Sequence, residues 1–172
     1  MRLLRVIKEQ DIDPKAKDRN DIKYTLRETA RAVVFNKKKE VALMFASKAN
    51  LHILPGGGMQ PNETLSETAK REVKEETGCD VKITDEVGKV IEFRDRISRI
   101  QESSCFLAKV NGKCGKPKLT KKEKKSGFQL KWASIDDAIK LIKTDKGNHV
   151  LAGFIKIREG TFLKKAKELM KL

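Results

Sequence analysis

Apolar, β-branched runs broken by short polar turns fill the first two thirds of the chain, and helical spacing takes over toward its end. Leu3–Ile7 predicts a short strand, and the polar stretch 11–21, which carries Pro14, predicts a loop. Residues 29–35 and 41–46 flank a turn at 36–40, the pattern of a β-hairpin. A short strand at 51–54 leads into Gly56-Gly57-Gly58. Residues 81–93 and 103–110 alternate as two further strands, the second closed by Asn111-Gly112, and 128–132 alternates as the last. Ser134 with Asp136 and Asp137 starts a helix through Ile142. Residues 148–170 read as a terminal helical region interrupted near Gly160. No internal repeat or linker divides the chain, so one α/β layered domain over 1–172 is expected.

The segment after the glycine run carries the chemistry. Pro61-Asn62 marks a turn, and Thr64 with Glu67 three residues on forms a capping box. Residues 63–77 contain no Gly or Pro, and Gly78 suits a left-handed stop. Leu65, Ala69 and Val73 form the stripe that faces a core. Glu72, Glu75 and Glu76 stand at i, i+3 and i+4, one helix face with neighbours about 6 Å apart. On an exposed face such carboxylates repel one another, and a hard divalent cation removes the conflict while bridging to phosphate. The three glycines allow close backbone approach, offering carbonyls to a metal and amides to a phosphate.

Residues 57–79 fit the pattern G-x5-E-x7-R-E-U-x-E-E-x-G-U, where U is apolar or Cys. That resembles the Nudix box with no position missing, and Leu54-Pro55-Gly56 extends the match. The resemblance spans about residues 28–142. It implies a mixed sheet sandwiched between helices (an α/β/α sandwich) and a Mg²⁺-dependent hydrolase, with Mn²⁺ as substitute. The bond cleaved would be the pyrophosphate of a nucleoside diphosphate linked to a group X, such as a nucleotide sugar, ADP-ribose or a (d)NTP. Metal ligands would be Glu72, Glu75, Glu76 and the Gly56 carbonyl, with Gly57 and Gly58 binding substrate. Arg71 would pair with Glu63 or hold Glu75, and Glu75 or a loop acid such as Glu123 would take the proton from water. Glu92 and Glu102 compete with Glu123 for that role. Phe128 and Trp132 either stack on a base or belong to the core. Two alternatives stay open: hydrolysis at the 5′ end of RNA, and nucleotide or RNA binding without hydrolysis.

Composition narrows the partners. The net charge of +15 favours anionic partners, whether nucleotides, polyphosphates, RNA or acidic surfaces, without choosing among them; it is the resemblance that implies a small nucleotide before nucleic acid. Residues 113–125 hold seven lysines and one acid, Glu123, either a phosphate-gathering loop or a solvated one. Cys79, Cys105 and Cys114 are odd in number and match no C-x-x-C spacing, which suits reduced thiols, with Cys79 in the core. His52 and His149 suggest no ligand cluster. No apolar run reaches the length of a membrane span, and charges interrupt residues 1–13, so a cytoplasmic protein is expected, monomeric or a homodimer.

Overall fold

The computed structural model describes residues 1–17, 19, 21–147 and 149–170. Asp18 and Asn20 in the expected loop, and Asn148 at the expected start of the last helix, lie outside the described residues. The elements are β1 (Leu3–Ile7), β2 (Thr25–Phe35), β3 (Val41–Ala46), β4 (Leu51–Ile53), β5 (Gly56–Gly58) and α1 (Leu65–Thr77). They continue with β6 (Val81–Arg94), β7 (Arg99–Val110), α2 (Lys121–Lys125), β8 (Phe128–Ala133), α3 (Ile135–Thr144) and α4 (Val150–Met170).

The strands form one mixed sheet in the order β1-β6-β7-β2-β3-β4, with β5 joined to β2 and β8 to β3. β1–β6 and β2–β7 are parallel; the remaining pairs are antiparallel. Strand alternation decides what each face buries. On β2, Ala30, Ala32 and Val34 face α1, where Ala69 and Val73 meet them with Phe106 and Ala108 of β7. Val33 and Phe35 face the other layer, packing with Leu43, Leu54, Ile135 of α3 and Phe154, Phe162 and Leu163 of α4. The sheet is therefore sandwiched between α1 on one side and α3 and α4 on the other, as the resemblance implied.

Three expectations are corrected. Cys79 and Cys114 form a disulfide, so only Cys105 is a free thiol, and it is buried. The bond is possible because segment 114–118 runs along the end of α1: Gly115 N–H donates to Gly78 O at 2.8 Å and Lys118 N–H to Glu75 O at 2.6 Å. Spacing along the chain carries no trace of that approach. Second, α4 runs unbroken through Gly160, which has no positive φ and stands in open space. A glycine there costs a helix only about 1 kcal/mol, less than the packing of α4 restores. Third, the lysine-rich stretch is not all loop, since Thr120 caps the short α2. His52, for which no ligand cluster was expected, is buried with its Nδ1 2.7 Å from Asp145 Oδ1.

Candidate active site

The glycine run reaches its place because β4 ends at Ile53 and the chain turns back along β2 as β5. There Gly56 lies opposite Arg31, Gly57 opposite Ala30 and Gly58 opposite Thr29. A Cβ on Gly56, at φ +150°, would stand 2.3 Å from Ala30 O. At Gly57 a Cβ would fall 2.4 Å from Glu72 Oε1, so only glycine lets the loop backbone lie against that carboxylate. Gly56 N–H donates to Glu76 Oε2 at 2.9 Å, tying loop to helix.

α1 starts at the predicted capping box, with Glu67 N–H donating to Thr64 Oγ1 and Thr64 N–H to Glu67 Oε2. It stops at Gly78, φ 75°, whose N–H bonds Lys74 O. Arg71 lies at the centre of the polar face. Its Nε and Nη2 donate to Glu63 at 2.6 and 3.1 Å, and Nη2 also to Gly58 O at 3.1 Å. Nη1 donates to Glu72 Oε1 at 2.8 Å and Glu75 Oε2 at 3.3 Å. Both orienting roles considered for Arg71 are thus present at once. Its guanidinium beside Glu63 lowers that carboxyl to about 2.

Glu72 and Glu76 are buried, 9% and 4% exposed, which corrects the expectation of an exposed, solvated carboxylate face. Burial raises both carboxyls, Glu76 to about 8, and the like charges of Glu72 and Glu123 push Glu76 the same way. The Gly56 N–H and Arg31 oppose that rise without cancelling it.

Glu72 and Glu76 open with Gly56, Gly57 and Gly58 into a cleft of about 330 Å³, and Glu123 of α2 lines it too. Glu75 is not among the lining residues; it stays more exposed, turned to Arg71. Glu92 is fully buried against Arg94, Gln101 and Arg158, and Glu102 pairs with Lys89, so neither reaches the cleft. Phe128 lines the cleft, whereas Trp132 packs on the core with Ala42 and Val73. Among the described residues no three acidic, His or Cys side chains are gathered tightly enough to hold a metal ion by themselves. The donor set nevertheless fits a hard divalent cation. Two desolvated carboxylates face a third in one cleft beside a glycine backbone, and burial first, then the like charges of Glu72 and Glu123, raises the Glu76 carboxyl that a cation would relieve.

Sequence reasoning missed Arg27 and Arg31, which line the cleft together with Lys122 of the lysine-rich stretch. The signal was present on β2: Arg27, Thr29 and Arg31 stand at alternate positions, on the face that continues as Val33 and Phe35. Arg31 is 8% exposed; it donates to Leu54 O at 3.0 Å and lies 3.5 Å from the buried Glu159 of α4.

Comparison with known proteins agrees with this architecture. The model of the NUDIX domain matches residues 25–154, reaching past the boundaries expected from the box into α4. Nudix hydrolase 13, mitochondrial, of Arabidopsis thaliana is 23% identical over 134 residues, which cover 76% of this chain and 66% of that protein. Among solved structures, the C. elegans Ap4A hydrolase superposes with a TM-score of 0.60 at 20% identity, covering 85% of this chain and 99% of that one. The MutT protein from Methanosarcina mazei Go1 superposes with a TM-score of 0.58 at 21% identity, covering 86% and 98%. These likenesses establish the fold, and with the domain match over most of the chain and the box residues gathered around one cleft, the chain belongs to the Nudix family of hydrolases.

Proposed function

We propose that the protein is a divalent-metal-dependent pyrophosphohydrolase, with Mg²⁺ as the working ion, acting on a small nucleotide of the form nucleoside diphosphate linked to X. The observation that carries this reading is the placement of two buried carboxylates, Glu72 and Glu76, against the glycine backbone in a cleft shared with Glu123. A pure binding module gains nothing from acids that repel phosphate. Two structural neighbours are enzymes of the same chemistry, the Ap4A hydrolase of C. elegans and a UDP-X diphosphatase.

In this reading Glu72 and Glu76, with the Gly56 carbonyl, would hold the ion, and Glu75 would join them by turning from Arg71 toward the cleft. When bound, it neutralises charge on the phosphates and acidifies a water. Gly57 and Gly58 present backbone to the substrate phosphate. Arg71 acts as a positioning residue, fixing Glu63, Glu72 and Glu75 around Gly58 O. Water attacks phosphorus, the P–O bond to the leaving phosphate breaks, and the water proton passes to Glu123 or Glu75. Arg27, Arg31 and Lys122 face the charge that builds on the phosphates. Phe128 offers a ring to the base. A cytoplasmic setting belongs to the same proposal; among the described residues no helix is long and apolar enough to cross a membrane.

The test is a panel of ADP-ribose, nucleotide sugars, canonical and oxidised (d)NTPs, dinucleoside polyphosphates and 5′-triphosphorylated RNA, with Mg²⁺ or Mn²⁺. Metal-dependent release of phosphate-containing products from a small nucleotide is expected. No product from any member at several metal concentrations overturns the reading, and turnover of the RNA alone replaces it with the 5′-end alternative.

A further inference from the structure

A second concavity, of about 610 Å³, opens beside the candidate cleft and shares two lining residues with it, Lys122 and Ser126. Its banks are the 47–50 turn, α2 and the segment leading into α4. The first two are pinned together: Ser47 N–H donates to Gly127 O and Lys48 N–H to Ser126 O, both at 3.3 Å. Four lysines line the groove, Lys48, Lys122, Lys125 and Lys146, and no carboxylate does. Among the described residues none of the four ammonium groups has an ion pair or hydrogen bond.

The missing acid is informative, because one was available. Asp145 adjoins Lys146 but is turned inward, accepting from His52 N–H at 2.6 Å and meeting His52 Nδ1 at 2.7 Å. Glu123, on the same short helix as Lys122 and Lys125, faces the catalytic cleft instead. The fold therefore sorts its charges. Acids are drawn into the core or the cleft, and four uncompensated cations remain along a path that begins at the cleft wall. Such a row repels itself and gains most from a ligand carrying several negative charges in sequence.

We propose that this groove is a binding site for a run of phosphate groups continuing from the scissile pyrophosphate, so that the preferred substrates carry a chain longer than two phosphates. Lys122 stands at the junction, reading the phosphate next to the cleft. Lys48, Lys125 and Lys146 take those beyond it. As a statement about substrate preference, this rests on the pyrophosphohydrolase reading; as a statement about binding, it does not.

The test uses the triple variant K48A/K125A/K146A, whose three side chains are exposed and partnerless, so the fold is expected to persist by circular dichroism. Calorimetric titration with inorganic tripolyphosphate and with pyrophosphate, both in EDTA, comes first. The wild-type protein is expected to bind tripolyphosphate at least about tenfold more tightly than pyrophosphate, with an affinity that falls as salt rises. The variant is expected to lose that advantage and most of the salt dependence. Equal affinity of the two proteins for tripolyphosphate, or no preference over pyrophosphate in the wild type, overturns the site. The second readout is kcat/KM for a dinucleoside tetraphosphate relative to ADP-ribose with Mg²⁺. The ratio is expected to fall about tenfold or more in the variant, through KM, with turnover of ADP-ribose retained. An unchanged ratio overturns the substrate preference. If neither compound is turned over by the wild type, the pyrophosphohydrolase reading fails for them, and the metal-free titration still decides the groove.

Discussion

Glu76 meets Gly56 N–H on one side and the like charges of Glu72 and Glu123 on the other, inside a desolvated wall. With its carboxyl pushed up to about 8, the metal-free protein at neutral pH keeps it largely protonated, so an amide of the same shape replaces it with little strain. Glu76→Gln is expected to lower kcat by about a hundredfold or more, from loss of the ion-holding charge, and to shift the melting temperature in EDTA at pH 7 by no more than a few degrees. Near-normal turnover in a folded variant removes Glu76 from the chemistry. Glu63 behaves in the opposite way. Its carboxyl is lowered to about 2, first by Arg71, so the stability it contributes is present above its usual value of 4.5 and is lost as pH falls through about 2. Urea midpoints of wild type and Glu63→Gln should differ at pH 6 and converge as pH approaches 2. A gap that stays constant across that window contradicts the ion pair.

Among elements, β5 and α4 each contain a glycine whose substitution separates two roles. Gly57→Ala places a methyl 2.4 Å from Glu72 Oε1, so that carboxylate must move. Turnover is expected to fall about tenfold or more while the fold remains, as judged by kcat beside a melting curve. Gly160→Ala adds a methyl where nothing lies within 4 Å, in a helix interior, and should stabilise the protein by roughly 0.5–1 kcal/mol with turnover unchanged. The reverse pattern in either variant refutes the geometry of that element. The strands other than β5, and α1, were legible in the sequence because local periodicity and caps encode them: β3 and the Thr64 capping box match the expected positions, whereas the glycine run that forms β5 read only as a loop. What periodicity does not encode is contact between distant segments. Arg158 of α4 meets Glu92 of β6 across 66 positions, so Glu92 read as a candidate base when it is a buried structural partner. Arg27 and Arg31 were passed over because a strand arginine is ordinarily a surface residue; only the return of β5 alongside β2 brings them to the cleft.

For the whole molecule, the +15 charge says little about which anion binds until the lysines are seen sorted from the acids. The cystine was invisible for a related reason, since Cys79 and Cys114 are 35 residues apart and only the run of segment 114–118 along α1 unites them. Closing a loop of that length stabilises a fold by about 3–4 kcal/mol through the unfolded chain. Cys114→Ser, or reduction with dithiothreitol, should lower the urea midpoint accordingly, and an unchanged midpoint would show that the pair contributes nothing. The same bond makes residues 79–114 a covalent ring holding β6 and β7, with the exposed Arg96 between them at the far tip. A tryptic nick at Arg96 would therefore release no fragment. On a gel the nicked chain should migrate as one band without reductant and as two with it, so that the chain can be cut between two paired strands and still remain one molecule.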